Sequence, residues 1–238
     1  MKRNVYILPL ILIILFIFSS NSHASPPSSE ENLTRAQNVL AQFDQSLSLN
    51  DRALIKNTPK SNLSPHLQEL REERLKLMAE KDKNLQIVSL KKSLLQLPSD
   101  HPLSSEEADR IAQTTIDTFE ASKNDFEMIR PAALNNIFVN MKLKDSGLCW
   151  HWARNLLYSL DRITLKTFSF HWVTAYEGKL REHNAIAVYA RGRDFEEGLV
   201  LDGWRHSGKP YWGPVKGDHY PWAWGEFYEN NQNDTKEK

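Results

Sequence analysis

An α+β fold, helices first and an antiparallel sheet after them, is predicted by a change of hydrophobic period partway along the chain. Up to Leu160 apolar residues recur every three or four positions, whereas Phe168, Phe170, Trp172, Thr174 and Tyr176 alternate along one strand face. The third observation is a solitary cysteine, Cys149, at the head of the last helical pattern.

Taken in order, the chain opens with Lys2-Arg3, an apolar run from Val5 to Phe18 and the small-residue stretch ending Ser22-His23-Ala24. These are the parts of a secretory signal, so residues 1–24 are read as a signal peptide and the protein as exported, periplasmic or secreted. The run of 14 residues falls short of the ~20 that a spanning helix needs, so no stable span is expected after cleavage; an uncleaved N-terminal anchor is the alternative. The full chain balances 30 basic against 30 acidic side chains, and loss of Lys2 and Arg3 leaves 28 against 30. Such a balance carries no electrostatic footprint for nucleic acid.

Residues 25–100 are expected to be helical after a Pro/Ser-rich disordered start at 25–32. Leu40, Phe43 and Leu47 form one stripe, Ser64-Pro65 opens a second helix, and a further apolar group runs from Leu85 to Leu97, just before Pro98. The reading is a solvated helical hairpin with one apolar stripe; the alternative is that helices 33–97 contact a partner. Residues 101–228 are the predicted α+β domain, and 229–238 a disordered tail. Ser104-Ser105-Glu106-Glu107 resembles a capping box ahead of Ala108, Ile111, Ala112, Thr115, Ile116 and Phe119. Pro131 suits the first turn of a helix with Leu134, Ile137, Phe138 and Met141 on its apolar side.

Asp145-Ser146 can cap the next helix, whose stripe is Cys149, Ala153, Leu156, Leu157 and Leu160. A thiol in the first turn feels the positive end of the helix dipole, and the free N–H groups there can donate to an oxyanion. His183 lies 34 residues downstream, and Asp202 a further 19. A hairpin turning about Gly192-Arg193 would set His183 opposite Asp202 on one face, where a carboxylate can orient an imidazole. Ala185 and Ala187 on that face would let the Cys149 helix lie close. Cys149, His183 and Asp202 are therefore the candidate catalytic residues, as nucleophile, general acid/base and orienter. Asn135 and Asn136 are candidates for a further oxyanion donor. His151 and His171 are read as structural.

The stretch from Trp204 to Pro214 and the run Tyr220 to Trp224 are strongly aromatic. They read as a loop-rich flap, or as an aromatic-walled groove for a peptide or sugar–peptide in which Trp150, Trp204 and Trp212 would bind substrate. His206, His219 and Asp218 lack ligand spacing, so no metal site and no cofactor are expected.

Gly147, Cys149 and Ala153 in one helix, a strand, a second strand from His183 and then Val200-Leu201-Asp202 resemble the core of the transglutaminase-like superfamily, within the papain-like group. The resemblance covers roughly 130–215 and implies a papain-like α+β core with a Cys-His-Asp triad. It departs at Asn184-Ala185, where the family usually has an aromatic next to the histidine, and at Gly203-Trp204, where it often has proline. The cell-wall endopeptidase branch matches less well, because there Ser-Gly follows the cysteine. The function implied is acyl transfer on an amide by an exported peptidase, amidase or transamidase acting on a peptide or protein, with cell-wall peptide a candidate because of export. The alternative is a non-catalytic exported peptide- or glycan-binding or scaffold module on the same fold.

Overall fold

The computed structural model describes residues 26–127 and 131–227; the signal peptide and the C-terminal tail expected from the sequence lie outside the described residues. Within them the fold is α+β: six helices precede a five-stranded, wholly antiparallel sheet. The helices are α1 (Ser29–Ser46), α2 (Leu49–Asn57), α3 (Pro65–Leu94), α4 (Ser105–Asp125), α5 (Ala132–Asn140) and α6 (Cys149–Leu160). The strands are β1 (Phe168–Ala175), β2 (His183–Ala190), β3 (Leu199–His206), β4 (Lys209–Pro214) and β5 (Ala223–Trp224), ordered β4-β3-β2-β1-β5. No described helix is long and apolar enough to cross a membrane.

Residues 29–32, expected to be disordered, are the first turn of α1. Ser28 and Glu31 form a reciprocal capping box, Ser28 Oγ accepting from Glu31 N at 3.3 Å and Ser28 N donating to Glu31 Oε2 at 2.8 Å. Two N–H groups that would otherwise be unpaired are thereby satisfied, and the helix starts early. Ser64 caps α3 as expected, with Pro65 at its first position, but the helix then runs unbroken for 30 residues. Its first half closes a small core of Phe43, Leu47 and Ile55 with α1 and α2. Its second half, Ile87, Leu90 and Leu94, belongs to the main core with Ala108, Ile111, Ala112 and Ile116 of α4.

Ser104 caps α4, accepting from Glu107 N at 3.2 Å. The Glu107 carboxylate does not return to the cap. It accepts from Lys166 N, Thr167 N and Thr167 Oγ1, each at 2.8 Å, and so ties the chain just before β1 to the head of α4.

The sheet has two apolar faces. Phe168, Trp172, Ile186, Val188, Leu199 and Leu201 pack under α6 and α4. Val173, Ala175, Ala185, Ala187 and Val200 pack on the other side against Val215 and Trp222. Ala185 and Ala187 therefore do not make room for the Cys149 helix, because α6 lies on the opposite face. Gly203 provides the close approach instead: a Cβ there would collide with the Trp152 and Phe119 rings. The stretch expected to be a loop-rich flap contains a hairpin, β3–β4, turning on Ser207 (φ 54°) and Gly208 (φ 86°). Positive φ at both central residues gives the twist a two-residue hairpin needs, and Ser-Gly is a weaker signal for it than Asn-Gly.

Candidate active site

Gly147 has φ 102°, a conformation that favours glycine, and it delivers the chain into α6 with Cys149 as the first helical residue. Asp145 and Ser146, expected to cap this helix, do not. The residue ahead of the first turn is Leu148, and its backbone N–H is satisfied by His151 Nδ1 at 3.1 Å. To accept there, His151 must be neutral. Burial, with Arg154 adding repulsion, lowers its pKa to about 4. Behind the turn, Asn135 Nδ2 donates to Gly147 O at 3.2 Å, and Lys144 Nζ donates to Asn135 Oδ1 at 2.9 Å. This anchoring turns α5 so that Ala132 and Asn135 are buried, while Ile137 and Met141, expected on the packed side, are 53% and 63% exposed. The other asparagine, Asn136, accepts from Trp204 Nε1 at 3.1 Å. The hydrogen bonds described for both asparagines thus support the site's walls, and none of them goes to the thiol.

The structure brings Cys149, His183 and Asp202 together, at 7%, 1% and 2% exposure. His183 Nε2 and Asp202 Oδ2 are 2.7 Å apart. The route differs from the expected register. β2 and β3 pair as Ile186↔Leu201, Ala187↔Val200 and Val188↔Leu199. Carried outward, that register sets Asp202 opposite Ala185, diagonal to His183 rather than facing it. The extra length is a 3₁₀ turn, Phe195–Glu197, capped by the Asp194 side chain. A slip of two residues preserves the face, and a diagonal neighbour is still within reach of an imidazole.

With Nε2 taken by Asp202, the other ring nitrogen, Nδ1, is buried and forms no hydrogen bond. Cys149 is one of the groups that act on this ring. Burial alone would lower the His183 pKa, but the hydrogen bond to Asp202, the interaction with Cys149 and the carboxylate charge outweigh it and raise the pKa to about 9. Asp202 is well supplied as an acceptor: Oδ1 takes Trp204 N at 2.9 Å and Arg205 N at 3.0 Å, and Oδ2 also takes Arg205 Nε at 3.0 Å. Burial would raise its pKa, but His183 and Arg205 hold it below the ordinary carboxylate value. Arg205 in turn makes a bidentate pair with Asp218 at 3.0 and 2.9 Å and lies over the Tyr211 ring at 3.9 Å. Asp218 is therefore an ion-pair partner, and among the described residues no group of three His, Cys, Asp or Glu side chains could hold a metal.

Around the imidazole stand Trp204, Tyr220 and Trp222, with ring centroids 4.8, 4.5 and 5.3 Å away. Of the tryptophans expected to bind substrate, Trp204 touches the site. Trp150 is next to Cys149 and stacks on His151 at 3.7 Å. Trp212 is not brought to the site. It pairs with Leu201 and donates to Ser93 Oγ on α3 at 3.3 Å. His171 is structural as expected, bonded to Gly225 O at 2.9 Å and stacked on Trp224.

Sequence reasoning missed Arg205, Asp218 and Asn184 as members of the site, whereas Tyr220 and Trp222 belong to the aromatic run it read as a flap or a groove wall. Arg205 follows Asp202 at a spacing of three across a bulge, and Asp218 lies beyond a whole hairpin, so no local pattern marks either. Asn184 alternates away from His183 along β2, so strand periodicity does not group the two. The thiol lies at the end of the strand, with Asn184 Nδ2 3.9 Å from Cys149 Sγ. No protein-family model, curated protein or solved structure matches this chain.

Proposed function

We propose that the chain is a thiol enzyme of the papain-like, transglutaminase-like kind, exported and performing acyl transfer on an amide of a peptide or protein. Cys149 attacks the carbonyl, His183 Nδ1 takes the thiol proton and returns it to the leaving amine, and Asp202 fixes the ring through Nε2. The observation that carries this reading is the buried 2.7 Å His183–Asp202 contact, which leaves the opposite ring nitrogen for the thiol. Water as the second substrate makes it a peptidase or amidase, and an amine makes it a transamidase. Cell-wall peptide suits an exported enzyme of this chemistry.

The burial of Cys149, 7% exposed, favours the non-catalytic module instead, and one experiment separates the two. Iodoacetamide should alkylate Cys149 of the native chain at neutral pH faster than free cysteine, and His183→Ala should slow this by about 10-fold or more. A thiol that stays inert until the chain is unfolded is the outcome of the binding-module reading and would sink the enzyme.

A further inference from the structure

Asn184 is 7% exposed, and its neighbours dictate which way its amide points. Trp172 Nε1, which can only donate, lies 3.0 Å from Oδ1, and Thr174 Oγ1 donates to the same oxygen at 2.9 Å. The oxygen end is thus identified by chemistry, and Nδ2 must face the opposite way. One of its hydrogens is held by Glu182 Oε1 at 3.2 Å. The other is directed at Cys149 Sγ, 3.9 Å away. The thiol itself makes an equally long contact with Glu182 O, also 3.9 Å. Both distances are too great for strong hydrogen bonds in the resting state. At this range an oxygen carried on a carbon bonded to Sγ can come within hydrogen-bond reach of Nδ2, beside the two atoms rather than between them.

Building on the acyl-transfer reading above, we propose that Asn184 Nδ2 is the side-chain donor of the oxyanion hole, working with the backbone N–H groups at the head of α6. When the sulfur lone pair forms the C–S bond, the carbonyl π pair moves to oxygen, and the thiol proton goes to His183 Nδ1. The new oxyanion then lies beside the sulfur, where the amide can donate to it. Collapse re-forms C=O, breaks the bond to the leaving group and leaves a thioester on Cys149. An amide already held by Trp172, Thr174 and Glu182 needs no reorganisation at that moment, which is the condition under which such a donor is most effective. Asn135 and Asn136, candidates from the sequence for such a donor, have the wall-supporting hydrogen bonds described above.

The test compares two reactions of the same thiol on the full chain. Acylation by p-nitrophenyl acetate passes through an oxyanion and releases p-nitrophenolate, whereas alkylation by iodoacetamide displaces iodide with no oxyanion. In Asn184→Ala the ratio of acylation to alkylation rates should fall by about 10²-fold. Asn184→Asp keeps an acceptor for Trp172 and Thr174 and replaces the donor with a carboxylate oxygen that repels an oxyanion, so it serves if the alanine variant does not fold; the same ratio should fall there. A native thiol that acylates and alkylates rapidly, with a ratio unchanged in both variants, overturns the role of Asn184 and leaves the triad standing. A native thiol no faster than free cysteine in either reaction takes down both.

Discussion

Asp202 receives four hydrogen bonds, and one of the donors, Arg205, competes with His183 for the same oxygen. A guanidinium beside Asp202 would ordinarily weaken its hold on an imidazolium. Asp218 offsets that charge through its bidentate pair, so the Asp202 charge remains available to the ring. Asp218→Asn should therefore move the His183 titration midpoint down from about 9, followed by imidazole NMR, and slow alkylation of Cys149 with it. An unchanged midpoint would show that Arg205 needs no counter-charge. Only part of this cluster was legible in the sequence. Thiol, imidazole and first carboxylate could be picked out because each sits at a recognisable place in a helix or strand. Arg205, Asp218 and the Asn184 amide were not, because their partners lie on other elements and no spacing announces them.

At the scale of elements, the helix–sheet contact depends on one glycine. Gly203 admits Trp152 of α6 and Phe119 of α4 to the β3 backbone, and those two rings meet edge-on at 6.0 Å. Gly203→Ala should cost about 1–3 kcal/mol through overpacking, read as a lowered urea midpoint with an unchanged slope. A loss under about 0.5 kcal/mol would mean that the rings have slack to move. The α6 stripe was legible from periodicity, and Cys149, Ala153, Leu156 and Leu160 are all buried, with Leu157 partly so. The face of His183 and Asp202 was also legible, since strand parity survives a register slip of two. Which residue makes the close approach was not, because Ala185 and Ala187 look equally suitable until the side of the sheet that α6 covers is known. α5 shows the converse failure: its apolar spacing pointed one way, and the need to bury a hydrogen-bonded Asn135 turned it another.

Across the whole molecule the helical N-terminal region and the sheet share one core. Lys91 of α3, 6% exposed, reaches Glu30 of α1 at 2.7 Å and Asp109 of α4 at 3.6 Å, while Ser93 of α3 accepts from Trp212 of β4. Global unfolding should therefore register the protonation of the buried site. His183 has a folded pKa of about 9 against 6.5 for an unperturbed ring. Because the folded value is the higher, its contribution to stability is complete below pH 6.5 and is lost as pH rises through about 9. Asp202, whose folded value is depressed, works the other way, contributing above its ordinary 3.8 and losing that contribution as pH falls. The difference in thermal midpoint between the native chain and His183→Gln should be largest near pH 6 and shrink by pH 10. A difference that stays constant over that range would show that the folded ring titrates where the unfolded one does. Taken alone, the sequence determined the order of helices and strands, the burial of the Cys149 stripe and the shared face of His183 and Asp202, because each follows from the period of a single element. Tertiary structure alone decided the strand register, the Arg205–Asp218 support, the Gly203 contact and the aim of Asn184. Those depend on which surfaces meet, and local periodicity carries no information about the partner across a contact.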